Sequence, residues 1–447
     1  MAPLSVPWGD GELALPLPDH WTLAQVARPS LARAAADWPD RLAQSLNRPE
    51  GSESLSAVLA SLPSHGRIVL VLEDITRHSP LARILPIIVR ELDHAAIADE
   101  RVEILFATGM HPAMTARDVS RKIGPLAERF AWRCNNAHDG GAHVRVGEVL
   151  HCSGSRRVPI YVDRRLVQAD LRLVVAAVTP HMQAGFGGGA KMFVPGCAAL
   201  ETISRVHLTG LLGPLAAPAV GTEPAVNPMR RMIDAAGDLV DRSHGRTFAV
   251  QYVLDADDQP AAMASGDLRL GQQMLAKQCA AAMGIVIDAP ADIVITNAWP
   301  RDYDMWQAFK CIANTAAAVR PNGVICALAH CPAGLNMGRI RWPLSPAWTR
   351  RLVRAIGVKG IVSMLRRLRP GVHGESHFFI QLAVQTIHRN PVLLHAPELT
   401  RRGQSFPGLP LYDTPEALFA AADDRLGPNG SRRVIVFTAG GTSYPVL

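Results

Sequence analysis

The segment richest in reactive groups runs from His181 to His207, HMQAGFGGGAKMFVPGCAALETISRVH. It places a histidine, a glycine-rich loop, a lysine ten residues after that histidine and a second histidine sixteen residues after the lysine. Gly185, Gly187, Gly188 and Gly189 let backbone amides approach a ligand closely, most often a phosphate or another anion. The loop is not a Walker A motif, because Ala190 stands where that motif has glycine and Met192 where it has Ser or Thr. Gly185, Gly187 and Ala190 fit a relaxed dinucleotide fingerprint, but Pro195-Gly196 interrupts the helix that should begin there. Lys191 is open to three readings: a phosphate contact, a covalent attachment point or a surface lysine. His207 falls in a helix expected over 198–208, either as an ordinary helix residue or as a metal ligand. Imidazole suits nickel, zinc, copper and iron, and one protein histidine suffices when a cofactor brings the other donors.

Other reactive side chains follow short β-rich runs. RIVLVLE (67–73) leads into Asp74-Ile75-Thr76-Arg77, VEILFA (102–107) into Thr108-Gly109-Met110-His111, and LRLVVAAV (171–178) into Thr179-Pro180-His181. In open α/β sheets, ligands sit beyond the carboxyl ends of the strands, so His111 and His181 should meet at one sheet edge. Two histidines on opposite sides of a substrate could exchange acid and base roles, as inversion of a stereocentre requires. Arg77 offers a planar fork for a carboxylate, and Asp74 could orient it or bind ligand hydroxyls; the alternative is a loop-stabilising ion pair. Gln307 and Lys310, three residues apart in an expected helix over 305–319, share a face that could close over an anion.

Strands alternating with helices predict an α/β fold with two domains, each a largely parallel sheet flanked by helices, with the active site in the interdomain cleft. The expected domains are 1–285, catalytic and cofactor-tethering, and 286–447, whose last residues could return to the first. Within the second, ADIVITNA (291–298), 322–328 and RRVIVFTAG (432–440) read as strands; the connecting stretch 263–283 reads as helix. With 447 residues, 48% of them hydrophobic and 19% charged, disordered, collagen-like and disulfide-stapled classes are excluded. Seven scattered cysteines without a CxxC pair suggest neither a disulfide framework nor a thiolate zinc site. The N-terminus lacks the pattern of a secretory signal and no apolar run would span a bilayer, so a cytoplasmic protein without membrane contact is expected.

The net charge of +7 is local. Nine basic residues and no acidic ones lie at Arg339, Arg341, Arg350, Arg351, Arg354, Lys359, Arg366, Arg367 and Arg369, leaving the rest slightly acidic. Neither interleaved aromatics nor a nucleic-acid motif accompanies them, so a solvated helical face that helps attract small anions is expected, and no nucleic acid.

Together these residues resemble the lactate racemase family, the nickel-pincer-nucleotide-dependent 2-hydroxyacid racemases and epimerases. The resemblance rests on the 181–207 segment, Asp74-Ile75-Thr76-Arg77, Ala107-Thr108-Gly109-Met110-His111-Pro112 and Gln307-Ala308-Phe309-Lys310. It implies an isomerase with a pyridinium-3-thioamide-5-thiocarboxylic acid mononucleotide nickel cofactor tethered covalently to Lys191. His207 then completes the nickel coordination, His111 and His181 are the acid/base pair, and Asp74, Arg77, Gln307 and Lys310 hold the substrate. Gly187, Gly188 and Gly189 bear against the cofactor and its phosphate. The implied reaction inverts C2 of a 2-hydroxy acid by reversible hydride transfer, and the implied partners are that acid and the cofactor-maturation proteins. Trp306 replaces a common tyrosine, His78 a frequent proline and Gly187 a frequent serine, which leaves the identity of the 2-hydroxy acid open. The alternatives are a nucleotide-dependent 2-hydroxyacid oxidoreductase and a non-enzymatic anion- or nucleic-acid-binding protein using the basic segment.

Overall fold

The strands Ile68–Leu72 and Leu171–Ala177 are buried at every residue, as expected of central parallel strands covered on both faces. A computed structural model describes residues 4–30, 32–151, 154, 156–212, 220–335, 344–368, 383–406, 408–427 and 430–447. The chain divides into two units, one holding Leu31–Gly213 and Thr222–Ala281, the other Met1–Ser30, Pro214–Gly221 and Ala282–Leu447.

In the first unit the sheet order is Pro260–Gly266, Arg246–Leu254, Leu171–Ala177, Ile68–Leu72, Val102–Phe106, Ala131–Cys134. Every neighbouring pair is parallel except Pro260–Gly266 against Arg246–Leu254. Successive side chains alternate between two cores, as the twofold period of a strand requires. Ile68, Leu70, Leu72, Leu173 and Val175 pack with Leu42 and Leu46 of the helix Trp38–Asn47 and with Ile84 and Ile88 of the helix Leu81–His94. Val69, Val71, Val174 and Ala176 pack on the other face with Ile203 and Val206 of the helix Leu200–Leu212 and Ile233 of the helix Pro228–Asp241.

The second unit has an all-parallel sheet in the order Leu411–Tyr412, Val392–His395, Val319–Leu328, Ala291–Asn297, Arg432–Phe437, Trp21–Ala27. The α/β architecture is therefore as expected, but the boundary at 285/286 is not that of the units. The first thirty residues supply an edge strand to the second unit, and the last residues stay within that unit. The stretch 263–283, expected to be helical throughout, begins inside the antiparallel strand Pro260–Gly266, and only Leu268–Met283 is helix. Gly266, at φ 109 with its α-carbon against the Glu50 backbone, marks the change.

The helix Pro346–Leu368 breaks at Gly357 and carries Arg350, Arg351, Arg354 and Arg367, the last three exposed. Arg339, Arg341 and Arg369 lie outside the described residues, as do the side chains of Lys359 and Arg366. Among the described residues no helix is long and apolar enough to cross a membrane, and the six described cysteines are unpaired.

Candidate active site

Leu72 pairs with Phe106 on one side and Val175 on the other, so the loops after these three parallel strands leave the sheet side by side. They carry Asp74, Thr76 and Arg77, then His111, then His181. Each side chain is thus delivered by a largely buried parallel strand to one carboxyl edge. The His111 turn closes by a bond from its amide to the Thr108 carbonyl (2.9 Å), with Gly109 at φ 56. The Gly109 amide donates to the Gly196 carbonyl (2.8 Å), stitching this turn to the loop that follows Lys191.

Asp74 does not form an ion pair with Arg77, the arrangement weighed from sequence. Its Oδ2 lies 2.5 Å from Nδ1 of His111, while Oδ1 accepts from the Thr76 amide (2.9 Å) and hydroxyl (2.5 Å). Burial opposes ionisation of Asp74, but the His111 hydrogen bond and charge, together with Arg77 and Thr76, outweigh it and hold the carboxyl well below the usual range. A carboxylate only accepts, so Nδ1 of His111 bears a proton and the neutral ring keeps its lone pair on Nε2. From beneath, the buried Lys122 ammonium donates to the carbonyls of Arg77 (2.5 Å) and Ser79 (3.2 Å), and the Ser79 hydroxyl donates to Glu73. Lys122 comes from a separate helix, Ala116–Ile123, and no spacing in the sequence connects it to the Asp74 loop.

His181 has the opposite hydrogen-bonding geometry. Its Nδ1 accepts from the amides of Gln183 (3.2 Å) and Ala184 (3.1 Å), so Nδ1 is unprotonated and the neutral ring bears its proton on Nε2. Gln183 also donates through Nε2 to the His207 carbonyl (3.2 Å), and Asn227 holds the Gln183 carbonyl (2.9 Å). His207 is buried in the helix Leu200–Leu212, where Nδ1 lies 2.8 Å from the Ile203 carbonyl one turn back. Only a protonated Nδ1 can make that bond, which puts the lone pair of the neutral ring on Nε2. An imidazole oriented through its other nitrogen is the usual setting of a protein metal ligand. Among the described residues no group of three His, Cys, Asp or Glu side chains could hold a metal alone, so a metal at His207 would need its other donors from a bound group.

Lys191 stands in the turn Gly189–Met192, partly exposed on an otherwise buried loop. The glycines before it do not form the open amide cradle expected for a phosphate. The Gly187 amide donates to the Thr179 carbonyl (2.7 Å) and the Gly189 amide to Oε1 of Gln251 (2.8 Å). A β-carbon at Gly188 would meet Val178 at 2.8 Å, and one at Gly189 would meet Gln272 at 2.9 Å. Close packing against the strand end accounts for Gly188, and close packing against the helix Leu268–Met283 for Gly189.

In the second unit Asp304 caps the helix Met305–Thr315 by accepting from the Gln307 amide (2.7 Å), and the Lys310 ammonium donates to the Gln307 side chain. The shared face expected from their spacing is therefore present.

The family model of the lactate racemase N-terminal domain matches residues 8–217. The lactate racemase of Thermoanaerobacterium thermosaccharolyticum is 27% identical over 352 residues, 76% of this chain and 78% of the relative. That of Lactiplantibacillus plantarum is 26% identical over 309 residues, 67% of this chain and 69% of the relative. Among solved structures, the T. thermosaccharolyticum lactate racemase apoprotein superposes with a TM-score of 0.82 at 20% identity, covering 100% of both chains. A Thermotoga maritima protein superposes at 0.66 with 19% identity, over 92% of this chain and 98% of that one.

Proposed function

The chain belongs to the lactate racemase family, and from that premise we propose that it is a 2-hydroxyacid racemase or epimerase using His111 and His181 as its acid/base pair. The observation that carries the reading is the Asp74–His111 pair, 2.5 Å apart, beside the strand end that bears His181. Asp74 pins the His111 tautomer, so that Nε2 takes the proton of the C2 hydroxyl while the carboxylate balances the charge left on the ring. Arg77 holds the substrate's anionic end, and the Gln307–Lys310 pair offers donors suited to an anion. Lys191 is the covalent tether of a nickel pincer nucleotide, and His207 ligates the nickel through Nε2. When bound, that group supplies the reversible two-electron acceptor for C2 that no side chain of the site can provide.

His181 serves the opposite face, with a constraint of its own. An imidazole that gives up a proton at Nε2 and stays neutral must keep one on Nδ1, and here Nδ1 faces two amide donors. Its turn as acid or base is therefore coupled to a shift of the 181–184 backbone away from the ring.

The test is to co-express the chain with cofactor-maturation proteins and measure nickel content, intact mass and epimerisation of lactate and of dicarboxylic, aromatic and sugar-derived 2-hydroxy acids. Lys191→Ala should abolish the covalent mass increment, and His207→Ala should lower nickel retention while keeping it. An increment that survives loss of Lys191 would sink the tether assignment. Full epimerase activity in His111→Ala or His181→Ala would refute the paired roles.

A further inference from the structure

Arg230, in the helix Pro228–Asp241, is fully buried, and its guanidinium pairs at long range with a carboxylate one turn on. Its nearest carboxylate, Asp234, stands 3.5 Å from Nη1. The guanidinium also donates, over shorter distances, to three successive backbone carbonyls, those of Phe186, Gly187 (3.2 Å) and Gly188 (3.2 Å). Carbonyl dipoles converging on one point repel one another, and the backbone reaches this arrangement through left-handed φ values at Gly185 (73), Gly188 (68) and Gly189 (62). A planar cation with several fixed donors offsets that repulsion, whereas an ammonium cannot reach all three acceptors in the same geometry. Gln272 adds a further donor to the Gly187 carbonyl (3.2 Å), and Gln251 accepts from the Gly189 amide (2.8 Å). The glycine-rich loop thus turns its carbonyls inward around a cation. Lys191 follows Gly188 by three residues in the next turn, so this anchor fixes where the lysine leaves the protein surface.

We propose that Arg230 is a positioning residue: by holding the carbonyls of residues 186–188 it sets the loop that presents Lys191, and so controls attachment of the nucleotide cofactor. The inference rests on the reading of Lys191 as the tether. A buried cation is unfavourable unless its hydrogen bonds replace water, so its presence at this loop calls for a reason beyond packing.

The test compares Arg230→Lys, which keeps a cation, with Arg172→Met as a control. Arg172 is equally buried in the same unit, but its hydrogen bonds go to Leu166, His244 and Thr247. Hydrogen exchange is measured without cofactor on peptides covering 184–196, and intact mass after co-expression with the maturation proteins. Arg230→Lys should speed exchange in 186–192 by about tenfold or more with the rest of the unit protected, as local opening predicts. Its covalent mass increment should fall to about a fifth of wild type or less, and Arg230→Met should lose more. Arg172→Met should melt earlier but load normally. Wild-type exchange in Arg230→Lys would overturn the proposal, as would faster exchange with undiminished loading or an equal loss of loading in Arg172→Met. If Lys191→Ala keeps the increment, it is the tether reading that fails, and the exchange measurement still reports whether Arg230 anchors the loop.

Discussion

A neutral imidazole offers one basic nitrogen, and the partner of the other nitrogen decides which. His111 faces a carboxylate and His181 two amides, so the two rings carry their protons on opposite atoms. In protein with 15N-labelled histidine, His111 should show a protonated Nδ1 and His181 a protonated Nε2 above the pH at which the rings are doubly protonated. Identical tautomers would contradict the hydrogen bonding. Asp74→Asn offers an amide that can donate as well as accept, so the His111 proton should move to Nε2. Epimerisation should then fall by about a thousandfold or more while cofactor loading stays intact. Asp74 also sets a pH window for stability. Its carboxyl is held below the ordinary value, so its contribution is full above the unfolded pKa of about 3.9 and is lost as pH falls through the folded one. The stability advantage of wild type over Asp74→Asn should persist through neutral and mildly acidic pH and vanish only in acid stronger than the ordinary carboxylate range. Convergence near pH 6 would assign the dependence to another group.

The element that most constrains the site is the turn joining the Leu171–Ala177 strand to the Lys191 loop. Gly188→Ala would place a methyl 2.8 Å from Val178 at a φ of 68, so strain and overlap add. A loss of about 2–4 kcal/mol in unfolding free energy is expected. Gly403→Ala, at φ 59 with no neighbour within 4 Å, should lose only about 1 kcal/mol. Equal losses would mean that the backbone angle alone matters. Strands such as Ile68–Leu72 were legible because an unbroken β-branched and aliphatic run has one reading at that length, and the order of the strands placed His111 and His181 at one edge. Pro260–Gly266 was not legible: PAAMASG has weak strand propensity and is held by pairing with Arg246–Leu254. The glycine-rich loop was legible as a site but not in its polarity, because Arg230, Gln251 and Gln272 come from 42 to 85 residues away in sequence.

At the scale of the whole chain, the two units are not two halves. Trp21–Ala27 forms the edge strand beside Arg432–Phe437, from Arg432↔Trp21 to Phe437↔Ala27. Trp21 donates from its indole to Asp423 (2.9 Å) and packs its ring 5.2 Å from that of Phe419, both on the helix Pro415–Leu426. Val434 and Val436 lie in the same core, fully buried. A fragment of residues 282–447 therefore lacks one strand of its own sheet and exposes the edge of Arg432–Phe437, an arrangement that favours self-association. Supplying residues 1–30, fused through a flexible linker or added as a separate chain, should convert an aggregating fragment into a soluble, cooperatively melting one. Trp21→Ala in the added segment should remove most of that effect, since loss of a large buried ring costs about 3–5 kcal/mol. Light scattering and thermal melts of the three samples provide the check. Cooperative folding of 282–447 alone would show that the N-terminal strand is dispensable and would restore a boundary near residue 285.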